Sequence, residues 1–322
     1  MSAPATAASR PDATDRAEYL AAMLLRWYVS VLPAPLARAA GAAIGWLFYV
    51  VDARHRRLAQ EQLQRAFPLK SAAECRAIAR ATFVHFGRLV VAVLRFSGLS
   101  PEAMRAQVEI EGEERVRAAF AAGKGALFIT GHFGYWELHA LAHATHFPPI
   151  SLLARPLDNP PLHHLLEQIR TATGNRIIYK QGALRRVLRA LEQNEGVAVL
   201  IDQHAQSGDA VTVEFFNRPA ATTSSVAVLA LRTGAPLIPV FALPLPGGRY
   251  RLIYEHPVEP PAATSTDPVR ELTQRCTDVL EMYVRRHPHL WLWMHNRWRV
   301  ADPEEDAIAE DAPGVPVPDE PR

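Results

Sequence analysis

Cysteine is nearly absent from this chain. Cys75 and Cys276 are the only two in 322 residues, they sit in opposite halves, and no CxxC pair occurs. A disulfide framework and a cysteine-built zinc site are therefore excluded, and a reducing compartment is the simpler reading. Glycine is modest at 17 residues, which excludes a collagen-like chain, and a composition 49% hydrophobic and 21% charged excludes wholesale disorder. Long apolar runs are missing from the N-terminal region. Its longest charge-free stretch, Ala39 to Val51, is 13 residues, short of the roughly 20 a helix needs to cross a bilayer. A signal peptide is not written either: acidic Glu18 precedes the apolar run, so the segment is expected to be retained.

Charge is balanced overall at +2 but unevenly placed. Residues 301–322 hold eight acids and one base, which leaves +9 on the 300 residues before them. The acidic, Pro-rich end reads as a disordered tail, because it lacks the apolar residues that offset ordering entropy. The basic body suits an anionic membrane surface, phosphates, an acidic protein partner or nucleic acid, and charge alone does not choose among them.

Residues 1–16 are small and polar and read as a disordered leader. Residues 17–97 read as a helical, membrane-associating region. Trp27, Tyr28, Trp46, Phe48 and Tyr49 mix with Arg26, Arg38 and the Arg54-His55-Arg56-Arg57 cluster. That mixture fits helices lying in a membrane interface, with rings at headgroup depth and cations on anionic lipid; an ordinary buried helical hairpin is the alternative. Ser71 followed by Glu74 is a capping box ahead of a helix over 71–96.

Beyond Ser100-Pro101, short apolar runs alternate with amphipathic stretches. Strands are expected near 108–110, 126–129, 150–153, 176–179, 197–201, 211–216, 236–243 and 250–254, with helices between most of them and a last helix near 268–286. That rhythm predicts an α/β domain over 98–300 with a largely parallel sheet flanked by helices.

In such sheets ligands gather at the carboxyl ends of the strands. Three polar groups stand there: Gly131 to Glu137, Arg155-Pro156 and Asp202-Gln203. His132 and Glu137 are five positions apart and cannot share one face of a continuous helix. They converge if His132 lies in the turn and Glu137 in the next helix, with Gly131 and Gly134 permitting the tight path. A carboxylate on one imidazole nitrogen would leave the other free to take a proton from a hydroxyl. The backbone N–H groups of Phe133 and Gly134 are candidates to receive an oxyanion. On pattern alone, HxxxxE reads more readily as two ordinary polar residues than as a catalytic pair.

Five ordered motifs make the pattern more specific: HFGYWEL at His132 to Leu138, RPLDNPPL at Arg155 to Leu162, LIDQH at Leu200 to His204, EFFNRPAATT at Glu214 to Thr223 and HLWLWMHNRW at His289 to Trp298. Over about residues 20–300 the chain resembles the bacterial lipid A biosynthesis acyltransferase family, within the lysophospholipid acyltransferase superfamily. The resemblance implies a glycerolipid-acyltransferase-like fold. It also implies transfer of an acyl group from acyl carrier protein, or acyl-CoA, to a lipid hydroxyl at the cytoplasmic face of the inner membrane. Carried over, His132 is the general base, Glu137 its orienting carboxylate, and Arg155 and Asp202 lie in the second and third motifs. Arg155 suits a phosphate or a developing oxyanion, or else a salt bridge with Asp202; Asp202 suits holding His132 or a cation. No bound cofactor or metal is needed for this chemistry. Asn217 and Gln62 depart from the family pattern, standing where glycine and asparagine are expected.

Other features have blander readings. His139, His143 and His146 share helical spacing and read as a solvated face or, less readily, a metal site. Trp291, Trp293, His295, Arg297 and Trp298 read as packing near the site mouth, or as a nucleic-acid stacking surface; no nucleic acid is expected. Arg170, Arg176, Lys180, Arg185, Arg186 and Arg189 form a basic run suited to solvent, an acidic carrier protein or a phosphorylated headgroup. The rival functional readings are the same chemistry on a lysophospholipid, aminolipid or glycolipid, or non-catalytic lipid binding.

Overall fold

The computed structural model describes residues 11–179, 182–205 and 210–299. The acidic tail and the first ten residues of the expected leader lie outside the described residues.

Helix α1 (Ala13–Val31) begins earlier than the polar leader suggests. Asp12 accepts from the Asp15 N–H at 2.8 Å and Asp15 accepts from the Asp12 N–H at 3.0 Å, a reciprocal cap that draws residues 13–16 into the helix. Pro33 stands between it and α2 (Ala34–Val51), which carries Pro35 harmlessly in its first turn. Helices α3 (Ala53–Ala66) and α4 (Ala72–Phe96) follow, the latter opened by the expected Ser71–Glu74 box.

α2 lies directly on α4. A Cβ at Gly45 would stand 2.1 Å from the Phe83 carbonyl oxygen, so the backbones meet at a small-residue seam and α2 turns its bulk outward. Trp46, Leu47, Phe48, Val50 and Val51 of α2, and Leu20, Leu24, Trp27, Tyr28 and Val31 of α1, are exposed. By length and composition, α2 and α4 are each apolar enough to cross a membrane. α4 nevertheless sends Cys75, Ala79 and Phe83 into one core and Leu89, Val91 and Phe96 into the other. The helical N-terminal region and the α/β domain are therefore joined through α4.

A short α5 (Pro101–Ala106), capped by Ser100, precedes the alternation. The order is then β1 (Val108–Glu111), α6 (Glu113–Ala121), β2 (Ala126–Thr130), α7 (Trp136–His146), β3 (Ile150–Ala154), α8 (Pro160–Thr171), β4 (Arg176–Tyr179), α9 (Ala183–Glu192) and β5 (Gly196–Leu200). It continues with β6 (Ala210–Glu214), β7 (Pro219–Thr223), α10 (Ser225–Thr233), β8 (Leu237–Pro244), β9 (Tyr250–Tyr254) and α11 (Pro268–Arg286). Seven strands form one sheet in the order β1-β9-β8-β2-β5-β3-β4, parallel except between β8 and β9. Helices cover both faces. On central β2, Leu127 and Ile129 enter one core while Ala126 and Phe128 enter the other, the period-2 alternation of a strand buried on both sides.

The ribbon β6–β7 stands apart from the main sheet. The strand expected over 211–216 stops at Glu214, and residues 219–223, outside every expected strand, form β7. The cause is a two-residue turn. Phe215 and Arg218 exchange backbone bonds at 2.9 and 3.3 Å, and Phe216 and Asn217 between them have φ of 56° and 55°, as a hairpin of this length requires. Asparagine tolerates this left-handed backbone better than other non-glycine residues, so Asn217 serves where the family pattern has glycine. Phe216 is held there by the Glu281 carboxylate, which accepts from its N–H at 2.6 Å, and by Arg285 over its ring at 4.4 Å.

Candidate active site

Adjacent parallel strands β2 and β5 end side by side, and the chain just past each supplies one half of the site. The Ile201 N–H donates to Thr130 O at 3.0 Å, which carries the pairing to the strand tips and sets Asp202 beside Gly131 and His132. Gly131 is required by that approach: a Cβ there would fall 2.9 Å from Asp202 Oδ2. Asp202 Oδ1 meets His132 Nδ1 at 2.8 Å, and Oδ2 accepts from the His132 backbone N–H at 2.7 Å. An ionised carboxylate only accepts, so Nδ1 carries the proton and the lone pair sits on Nε2. The Asp202 side chain is 2% exposed and that of His132 17%. The histidine edge is thus partly open while its partner is sealed.

Burial drives the His132 pKa down, but the charge and hydrogen bond of Asp202, with Glu137 adding at longer range, outweigh it and hold the imidazole above its usual value. Burial raises Asp202, yet His132 and the Trp291 indole N–H together bring it below the usual carboxylate range.

Glu137, expected to orient His132, makes no hydrogen bond to it. Both of its oxygens are engaged by Arg170 of α8, with Nε to Oε2 at 3.0 Å and Nη2 to Oε1, and Trp136 Nε1 adds a bond at 3.2 Å. The physical reason is position: five residues past His132 the chain has turned into α7, whereas Asp202 stands abreast on the neighbouring strand. Arg170, the first residue of the basic run, has a side chain only 17% exposed and lies in this site rather than on a solvated face. Its Nε and Nη2 face Glu137, and among the described residues Nη1 has no hydrogen-bond partner.

The expected oxyanion donors are already used. The Phe133 N–H donates to Gly131 O at 2.7 Å and the Gly134 N–H to Leu290 O at 2.8 Å, so neither is available in this arrangement. Arg155 is exposed and pairs with Asp158 at 3.2 Å. It does not form the alternative salt bridge with Asp202 and is not drawn to the histidine.

The other histidine group also differs from expectation. His139 and His143 are buried rather than solvated, packed around Phe128 and Tyr254, and His143 Nδ1 meets the Tyr254 hydroxyl at 2.7 Å. The C-terminal aromatics pack inside: Trp291, Trp293 and Trp298 are in the core with Arg297 among them, so their rings offer no stacking surface. Arg297 donates to Ala221 O at 2.6 Å and to the Thr222 hydroxyl. Gln62, which departs from the family pattern, is fully buried. Its amide donates to Trp293 O at 2.7 Å and to His295 O, and accepts from the Arg297 N–H at 2.8 Å. In the remaining basic run Arg176 pairs with Glu195, Arg185, Arg186 and Arg189 are exposed on α9, and Lys180 lies outside the described residues.

A histidine base backed by a buried carboxylate, at the carboxyl edge of a parallel sheet, suits removal of a proton from a substrate hydroxyl. Residues 10–300 match the family model described as bacterial lipid A biosynthesis acyltransferase; the chain belongs to this family and is an O-acyltransferase. It is 27% identical over 279 residues to the lipid A biosynthesis lauroyltransferase of Escherichia coli K12, covering 85% of this chain and 88% of that one. It is 23% identical over 287 residues to the palmitoleoyltransferase of the same organism, covering 88% and 91%. A phosphatidylinositol mannoside acyltransferase of Mycobacterium tuberculosis H37Rv is 24% identical over 235 residues, covering 71% and 72%.

Proposed function

We propose that this protein transfers a fatty acyl group from the thioester of acyl carrier protein to a hydroxyl of a lipid A precursor, at the cytoplasmic face of the inner membrane. The observation that carries the reading is the His132–Asp202 pair at the strand tips, in a chain whose relatives are named for acylation in lipid A biosynthesis. His132 Nε2 takes the proton of the acceptor hydroxyl as its oxygen attacks the thioester carbonyl. The new C–O bond forms, the carbonyl oxygen becomes an oxyanion, and the Arg170 guanidinium, aligned by Glu137, faces that charge. Collapse breaks the C–S bond, and the pantetheine thiolate takes its proton from the imidazolium. Asp202 stabilises that imidazolium while it lasts.

The outward apolar faces of α1 and α2, with Arg54 and Arg57 exposed at the start of α3, support attachment to anionic lipid. The exposed arginines of α9 support docking of an acidic carrier. A glycosylated phospholipid acceptor is the second reading, favoured by the similarity to the phosphatidylinositol mannoside acyltransferase. Purified protein given acyl carrier protein thioester and lipid A precursor is expected to release free carrier thiol and add one acyl mass to the lipid. Lipid binding without thiol release, by a preparation that is folded, would contradict the enzyme mechanism. Turnover only with a glycosylated phospholipid would move the acceptor to that class.

A further inference from the structure

Residues 290–293 lie across the turn that carries His132 as a short antiparallel bridge. Phe133 pairs with Trp291, the Gly134 N–H donates to Leu290 O at 2.8 Å, and the Leu292 N–H donates to His132 O at 3.1 Å. This bridge delivers one side chain to the centre of the site. Trp291 is 1% exposed, walled by Phe215 and by Trp293, whose ring centroid is 4.6 Å away. An indole carries a single polar atom, which only donates, and a buried donor needs an acceptor. For Trp291 that acceptor is Asp202 Oδ2, at 2.8 Å. The neighbouring indoles end on ordinary carbonyls instead: Trp293 on Pro288 O at 2.6 Å and Trp298 on Phe215 O at 3.2 Å.

We infer that Trp291 is a positioning residue for acyl transfer: its indole N–H fixes the Asp202 carboxylate in the plane that serves His132 and limits how tightly that carboxylate holds a proton on the imidazole. The inference rests on the reading of His132 as general base. Without the indole, the two donors of His132 itself are all that the carboxylate keeps among the described residues. Its charge is then less shared, so it stabilises the imidazolium more strongly and the basic, neutral form of His132 becomes scarcer at a given pH. The other charged groups felt at the pair are Glu137 from α7, Arg170 from α8, and His295 and Arg297 from the C-terminal segment. Removing one neutral indole N–H changes the charge of none of them.

Trp291→Phe tests this, with Trp293→Phe as the control that removes an equally buried indole whose N–H does not touch the pair. In the full-length protein, Trp291→Phe is expected to lower kcat about tenfold with KM within about twofold. It is also expected to move the acid limb of the rate profile up by roughly half to one pH unit. Trp293→Phe is expected to lower thermal stability while leaving the acid limb in place. An unmoved limb in Trp291→Phe, with activity falling only in step with stability, overturns the inference. If Trp291→Phe does not fold, the wild-type protein labelled with 15N-tryptophan gives the answer. The Trp291 indole N–H should titrate with the same midpoint as the rate, and a signal that does not move overturns the proposal. Full turnover in His132→Ala would instead remove the general-base reading beneath it.

Discussion

Asp202 grips His132 twice, through the ring at 2.8 Å and through the main chain at 2.7 Å. The second contact makes the first directional: the carboxylate cannot rotate away from the imidazole without releasing the backbone that carries it. Asp202→Asn keeps the shape but places an amide where an anion stabilised the imidazolium. We predict that kcat falls by about 10³-fold or more with a melting temperature within a few degrees of wild type, measured by steady-state kinetics and calorimetry.

The Glu137–Arg170 pair makes a different prediction. If Glu137 works by aligning Arg170, then once the arginine is gone the carboxylate has nothing left to align. Arg170→Ala and Glu137→Gln are each expected to lower kcat/KM strongly, with the double variant no worse than Arg170→Ala alone. Fully multiplicative losses in that cycle would assign Glu137 an independent role.

Protonation sets two opposite pH dependences. His132 is held above 6.5, so the acid limb of kcat/KM is expected above pH 6.5. Its contribution to stability runs the other way, being present below the unfolded value and lost as pH rises through the folded one. The buried histidines behave in reverse. Burial holds His139 at about 3 and His85 at about 4, below the usual 6.5, so their neutral forms stabilise the fold fully above 6.5 and lose that contribution as pH falls toward 4. The melting temperature should therefore drop over that window, and His139→Leu should make the drop shallower.

Gln62→Ala should cost about 2–3 kcal/mol, because it strips partners from the buried Trp293 O and Arg297 N–H. Since Gln62 pins the segment that also carries Trp291, kcat should fall as well. Denaturant unfolding and kinetics check both effects.

The outward face of α2 can be emptied without touching the core. Serine at Trp46, Leu47 and Phe48, each more than half exposed, should weaken binding to anionic phospholipid vesicles about tenfold or more. The melting temperature should hardly change; co-sedimentation and calorimetry read the two together.

Much of this architecture was readable in the residues themselves, because strand and helix periodicities are local. The runs ending at Thr130 and Leu200 gave β2 and β5, and their order in an α/β sheet pointed to His132 and Asp202 at the tips. The β6–β7 turn was hidden because two adjacent residues at positive φ, one of them Phe216, have no strong residue signature without glycine. The partner of Glu137 was hidden for a different reason. Arg170 lies 33 positions away at the end of α8, and its sequence neighbourhood resembles a solvated basic face. A better signal was the spacing of α8, where Leu162, Leu165 and Ile169 mark the inward side and Arg170 sits next to it. Trp291 was legible as packing, but its hydrogen bond to Asp202 depends on a crossing of chain segments 89 residues apart, which no local pattern records.

The central claim is acylation of a lipid A precursor by a His132-dependent mechanism. It is tested most directly by lipid mass spectra from the native host with the gene deleted, then complemented with wild type or with His132→Ala. The account predicts lipid A lighter by one acyl unit in the deletion strain, restored by wild type and not by His132→Ala. Lipid A of unchanged mass in the deletion strain, or full restoration by His132→Ala, would contradict it.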